Sequence, residues 1–301
     1  MKVGGKLKNN FVFLMFVLPG AIYMATMILI PIGYNIILGF KNVDMLNFLN
    51  KGSQVVGFET YKKVFSDSLM KDAIKNTFVF TFWCLFFQFP IGLGLAMLFS
   101  KSFPGSRFLR GINLIAWMIP MVAVAGIFKY MFNSDIGIIN KMLMGLKIIK
   151  EPIMWLAYGN TAMAAVVIAN VWKGVPFNMI LLATALTTLP SDVYEAATID
   201  GANAIQQFFR ITLPLLKPAI ISVLTLGFIY TFKVFDLIYV MTNGGPGSST
   251  EVLSSLAYRY SFVEYNFSKG AAAANVLFVI LMVIGFFYIH LVRQEEQEIG
   301  A

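Results

Sequence analysis

Long apolar runs separated by short polar connections set the pattern of this chain. Six runs read as helical spans: residues 11–40, 77–99, 108–132, 161–188, 214–242 and 270–292. A helix needs about 20 mostly apolar residues to cross a hydrocarbon core. Backbone amides find no water there, so such runs must be helices rather than open strands. The pattern predicts an all-α membrane protein with six transmembrane helices. Pro19 and Pro31 lie inside the first run and predict kinks, which membrane helices tolerate. That run is too long for the apolar part of a signal peptide and reads as a retained span.

The polar segments differ in kind. In "VGFETYKKVFSDSLMKDAIKNTF", from residue 56, Phe58, Tyr61, Val64 and Phe65 recur at three- and four-residue steps. That spacing predicts a short interfacial helix. "TNGGPGSSTE", from residue 242, predicts a tight reversal. Its glycines and serines suggest a phosphate loop, but no lysine follows, and G-x-x-x-x-G-K-[ST] occurs nowhere in the chain. The chain therefore carries no P-loop nucleotide site of its own.

Composition sharpens this picture. Mean hydropathy is +0.75 and 13% of residues are charged, where a soluble domain has roughly a quarter. The net charge of +8 comes from basic residues scattered through loops. That spread excludes nucleic acid as a partner and fits contact with lipid head groups. Cys84 is the one cysteine and His290 the one histidine. An intrachain disulfide, a metal site and a catalytic set are all excluded on that ground.

Six spans put both termini on one side. If that side is the cytoplasm, nine basic residues lie inside and twelve outside. The outer loops are longer, however, and orientation is read from short loops and the first span. Lys2, Lys6 and Lys8 precede that span, and "SKSFPGSRFLR" carries three basic residues and no acid. Both termini are therefore expected in the cytoplasm.

One connection does not fit this scheme of simple linkers. "YEAATIDGANAIQQFFRITLP", residues 194–214, is polar, rich in small residues and broken by Gly201. Ser191 or Asp192 is expected to cap a helix, with Glu195 completing a capping box. Gly201 suits a left-handed C-cap, and a second helix is expected over residues 202–210. Pro214 and Pro218 suit the start of the next span. Ala196 and Ala197 give this helical elbow a slim side. Tyr194, Ile199 and Phe208 or Phe209 offer anchors, and Glu195, Asp200 and Arg210 offer ion pairs.

Glu195-Ala196-Ala197, Asp200-Gly201-Ala202 and Leu213-Pro214 together resemble the EAA loop of binding-protein-dependent ABC importer permeases. "NGGPGSST", "VGFETYKKVF" and the six-span pattern resemble the carbohydrate branch of that family, the maltose and oligosaccharide type. The resemblance implies a type I, MetI-like permease core with a cytoplasmic coupling helix in a bacterial inner membrane. It implies that Tyr194, Glu195, Ala196, Ala197, Asp200, Gly201, Ala202, Leu213 and Pro214 couple the chain to a separate ABC ATPase dimer. That ATPase would bind ATP and Mg, with no cofactor on this chain. It further implies a second, different permease subunit and an extracytoplasmic solute-binding protein. The expected organisation is an N-terminal span with an outer interfacial segment (1–75), a core of five spans (76–292) with the EAA loop at 190–214, and a tail (293–301).

Polar residues deep in spans are functional candidates. Trp172, Lys173 and Asn178 fall mid-span in "NVWKGVPFN", and Tyr230, Thr231, Lys233 and Asp236 in "YTFKVFD". Asn275 lies in the last span and Gln88 in the second. Lys233 and Asp236 are spaced to pair on one helix face, either for packing or in a cavity. Lys173 either pairs with Asp236 or snorkels. Trp172 and Tyr230 offer faces on which a sugar ring stacks. Two lysines within spans also suit a phosphorylated polyol or an acidic oligosaccharide. An ion-coupled secondary transporter is the weaker alternative, because neither an internal repeat nor a cluster of intramembrane acids is evident.

Overall fold

The computed structural model describes residues 15–47, 54–101 and 103–300, with side chains to Val292. Lys2, Lys6, Lys8 and Lys51 of the charge argument lie outside these residues, as do the side chains of the tail. Among the described residues there is no strand, only an isolated bridge between Lys41 and Val55.

Among the described residues four helices are long and apolar enough to span a membrane: α1 (Met15–Leu38), α3 (Ser68–Ser100), α7 (Gly159–Leu186) and α13, whose apolar part is Phe267–Val292. Two more candidates are bent pairs. In one, α4 (Ser106–Met118) meets α5 (Met121–Met131) at 96°. In the other, α9 (Ala204–Leu215) meets α10 (Lys217–Phe232) at 69°. The count reaches six when each pair is one span. Shorter helices are α2 (Glu59–Ser66), α6 (Ile138–Gly145), α8 (Ser191–Ile199), α11 (Asp236–Met241) and α12 (Leu253–Tyr258).

The expected continuous spans over 108–132 and 214–242 are thus corrected. Pro120 has no amide hydrogen and Ile119 takes an extended ψ of 133°, so the first breaks after Met118. The second stops at Phe232 and resumes at Asp236. Pro31 does not break α1. A π-helical turn, Ala25–Leu29, runs into the proline-bearing α segment and the helix continues.

Contacts divide the chain into two units. One holds the described residues up to Asp67 together with Ala257–Val276. In it Asn35 Nδ2 donates to Asn275 Oδ1 at 2.8 Å, and Asn275 Nδ2 donates to Tyr61 Oη at 2.9 Å. Ser268 Oγ donates to Leu38 O and accepts from Val43 N. Buried Tyr260 donates to Asp67 at 2.7 Å. Here α2 buries Thr60 and Val64, while Phe58, which precedes it, and Phe65 are exposed.

The other unit holds Ser68–Leu256 and the chain from Leu277 onward. Its core lies between α3 and α7. Phe80, Cys84, Ala165 and Ala169 pack with Val124, Phe128, Leu237 and Ile238 at one end, and Leu93 and Ala96 with Met179, Leu182 and Leu216 at the other. Close approach depends on missing side chains. A Cβ on Gly92 would lie 2.6 Å from Asn178 Cβ, and one on Gly174 2.3 Å from Gln88 Nε2. Small residues at such crossings let membrane helices make van der Waals contact that lipid cannot replace. The "TNGGPGSSTE" loop is packed against α3: Asn76 Nδ2 donates to Ser248 O and Glu251 O. Gly244, at φ +80°, leaves room for the buried Glu251 carboxylate, to which Ser255 Oγ donates.

Candidate functional site

The elbow is built from α8 and α9, and its turn closes by two backbone bonds. Gly201 N donates to Thr198 O at 3.1 Å and Ala202 N donates to Ala197 O at 2.9 Å. Gly201 sits at φ +79°, so this is a Schellman turn with glycine where a side chain would strain the backbone. The capping box lies elsewhere than expected. Pro190, extended, precedes α8, and no side chain caps that helix; Ser191 Oγ turns to Asp192 instead. The box is at the start of α9, where Asn203 Oδ1 accepts from Gln206 N and Gln206 Oε1 accepts from Asn203 N, both at 2.9 Å. The second helix also runs past residue 210 to Leu215, through a π turn at Phe208–Thr212.

Side chains tie the two helices together. Tyr194 Oη lies 3.0 Å from Thr212 Oγ1, and Gln207 Nε2 donates to Thr198 Oγ1 and Ala202 O. Tyr194 is thus spent inside the elbow, and Phe208 and Leu213 join the core beside α3 and α7. Glu195, Ala196, Asp200, Gly201 and Pro214 are exposed, with Ala197 and Ala202 half-buried. Ile199 and Ile205 are exposed at 86% and 70%. The elbow therefore offers a rigid tip of small, acidic and aliphatic residues with no cover of its own.

The second candidate is a cavity of about 300 Å³ between α3, α7 and the two broken spans. Lys173, Asn178, Tyr230 and Thr231 line it, and so do Gln88, Asn170, Trp117 and Phe177. Irregular backbone at membrane depth is tolerated where it lines such a cavity. Asn178 is 1% exposed; its Nδ2 donates to Gly174 O, while its Oδ1 has no partner. Gln88 Nε2 donates to Asn170 O at 2.9 Å. The rings of Trp117 and Phe177 stack at 6.0 Å, and Tyr230 meets Phe177 edge-on at 5.7 Å.

The remaining expected pathway residues lie elsewhere. Trp172 faces a larger apolar groove of about 1140 Å³ and touches Phe128. Lys233 and Asp236 do not share a helix face, because the helix ends between them. Both are exposed, and Lys233 lies over the Tyr230 ring at 5.3 Å. Asn275 is taken up by Asn35 and Tyr61. Lys173 pairs with no acid: its Nζ donates to Trp117 O at 2.7 Å and Ile119 O at 2.6 Å. Spacing along α7 could not show this, since the acceptors exist only because α4 stops at residue 118. A proline inside a span was the available signal. Trp117, Phe177 and Asn170 were missed for the same reason: nothing local marks a cavity wall.

A family model described as "Binding-protein-dependent transport system inner membrane component" matches residues 88–294. The chain is 32% identical over 278 residues to the sulfoquinovosyl glycerol transport system permease protein SmoG of Agrobacterium fabrum, covering 92% of this chain and 89% of that one. It is 38% identical over 240 residues to the trehalose/maltose transport system permease protein MalF of Thermococcus litoralis, covering 78% of each. In fold it is similar to a chain in the crystal structure of a bacterial ABC transporter involved in the import of the acidic polysaccharide alginate. The TM-score is 0.82 at 23% identity, covering 98% of this chain and 99% of that one.

Proposed function

Because this chain belongs to the binding-protein-dependent transport system inner membrane components, the permease subunits of ABC importers, we propose that it forms half of a sugar or oligosaccharide pathway. A second, different permease supplies the other half. A solute-binding protein delivers substrate from outside. A separate ATPase dimer, with its ATP and Mg, drives the cycle from the cytoplasm, where both termini lie. The observation that carries the substrate reading is the cavity between the broken spans. It offers aromatic faces from Trp117, Phe177 and Tyr230, and an unpaired acceptor on Asn178. Apolar faces with a few placed polar groups suit a sugar ring and its hydroxyls. The two relatives, named for sulfoquinovosyl glycerol and for trehalose and maltose, support a glycoside.

The elbow is the coupling element in this reading. A ligand moves a conformational equilibrium only through differential binding to its two states. ATP on a partner must therefore act through a part that keeps its shape under load. The Schellman turn, the capping box and the Tyr194–Thr212 tie give the elbow that stiffness, and Ile199 and Ile205 give it an apolar tip to seat. The second reading, an acidic oligosaccharide or phosphorylated polyol, has one observation in its favour: among the described residues no carboxylate lines the cavity that Lys173 borders.

Reconstitution of the complete transporter in liposomes tests both. ATP-dependent uptake of maltose or trehalose is the expected result. Uptake confined to glycosides bearing an acidic group would favour the second reading. Uptake that persists without nucleotide would overturn both.

A further inference from the structure

Lys173 lies midway along α7 with its ammonium at the end of α4, where the third span breaks. A helix leaves its last carbonyls without intrahelical partners. In lipid no water replaces them. Lys173 Nζ donates to two of them, Trp117 O at 2.7 Å and Ile119 O at 2.6 Å. A cation at a helix C-terminus is also favoured by the helix dipole. The ammonium thus has its compensation within the fold and requires no substrate anion. Its grip reaches the cavity wall, because the Trp117 ring stacks on Phe177 and Phe177 meets Tyr230.

We propose that Lys173 is a positioning residue for transport: it holds the end of α4 against α7, sets the bend between α4 and α5, and so keeps Trp117 in the wall of the cavity. It acts on cargo through Trp117 and the bend, not by binding cargo. The transport consequence rests on the reading given above; the hold on the bend does not.

The test pairs a distance with a rate. Cys84 is the only cysteine and is buried, so in a Cys84→Ala background spin labels can be placed at Ile112 and Ile127, both exposed, on either side of the bend. The full chain is measured in lipid within the assembled transporter. Lys173→Met, similar in length and without donors, is expected to broaden the distance distribution and move its mean by roughly 5 Å, about one helical turn. Lys173→Arg, which keeps a cation with several donors, restores the original distribution. In uptake of maltose, Lys173→Met lowers the maximal rate by roughly tenfold, the effect of leaving a part-buried helix-end carbonyl without its donor, with KM changed less than about twofold. Lys173→Arg recovers most of that rate.

An unchanged distance distribution in Lys173→Met overturns the proposal. So does a change confined to KM for an anionic glycoside, which would make Lys173 a ligand contact. Should Lys173→Met fail to accumulate, Lys173→Leu, also without donors, is measured in the same way and decides by the same outcomes. If the unsubstituted transporter moves no maltose, the sugar reading fails while the distances still decide the role of Lys173.

Discussion

The elbow and the α4–α5 bend are both places where a helix stops, yet they are stabilised in opposite ways. At the elbow the chain supplies every partner from within about twenty residues. Gly201 and Ala202 close the end of α8, Asn203 and Gln206 cap α9, and Tyr194 reaches Thr212. At the bend the partner comes from another helix, 54 residues from Ile119 and 56 from Trp117. The elbow is an exposed polar connection, where an unpaired carbonyl is forgiven; the bend lies inside a candidate span, where it is costlier. Cations serve helix ends elsewhere too. Arg110 donates to Phe99 O at the end of α3, and Lys129 donates to Val240 O near the end of α11. Basic side chains here finish helices as well as pair acids.

The largest effect on folding is expected where the buried region is crowded. A Cβ on Gly174 falls 2.3 Å from Gln88 Nε2 and 2.5 Å from Gln88 Cδ. Gly174→Leu would force α3 and α7 apart and release Gln88 from Asn170 O. Overpacking alone costs about 1–3 kcal/mol, so folded protein extracted from membranes should fall several-fold by fluorescence-detected gel filtration. Gly174→Ala should be milder, and Gln88→Ala should rescue it by vacating the space. A Gly174→Ala defect that persists beside Gln88→Ala would show that the contact is not the cause.

Gly201 sets the contrast, because nothing lies within 4 Å of a Cβ placed there. Its demand is on the backbone alone: φ is +79°, which costs a residue with a side chain roughly 1–2 kcal/mol. Gly201→Val should therefore reach the membrane in normal amount but lose transport and substrate-stimulated ATP hydrolysis by tenfold or more, as an estimate from that strain. Gly201→Asn, which tolerates the left-handed region, should keep most of both. Normal transport and stimulation in the valine variant would remove the elbow from the coupling path.

How much could be read ahead of the structure follows the same division. Four continuous spans, the glycine turn and the two-helix elbow are local patterns, and periodicity with Gly201 was enough to place them; the bends in the other two spans were not read. The capping box was assigned to Asp192 and Glu195, although Asn203 and Gln206 have the same three-residue spacing. Pro190, extended, is the residue that enters α8, which places Ser191 and Asp192 inside the first turn rather than at the cap. The expected Lys233–Asp236 pair presumed a continuous helix; the break after Phe232 removed it. Asn275 was assigned to the pathway by depth alone, and depth does not tell which neighbour takes an amide. The first two were local helix ends; only the last stayed hidden in an interaction between residues far apart in sequence, Asn275 with Asn35 and Tyr61.

The smallest effect sharpens the claim that the elbow is locally self-sufficient. Asn203→Ala removes the side-chain oxygen that accepts from Gln206 N and frees the Gln206 amide from its place. A lost N-cap costs about 1 kcal/mol. The Schellman turn and the Tyr194–Thr212 tie remain, so transport should fall less than about threefold, within what 1 kcal/mol allows. Hydrogen exchange at the first turn of α9 should rise by about fivefold for the same cost. Gln206→Ala should do the same, and the double variant should cost no more than either single one, because the two bonds form one unit. Additive losses would mean that Asn203 and Gln206 act separately, one of them on a partner beyond the elbow.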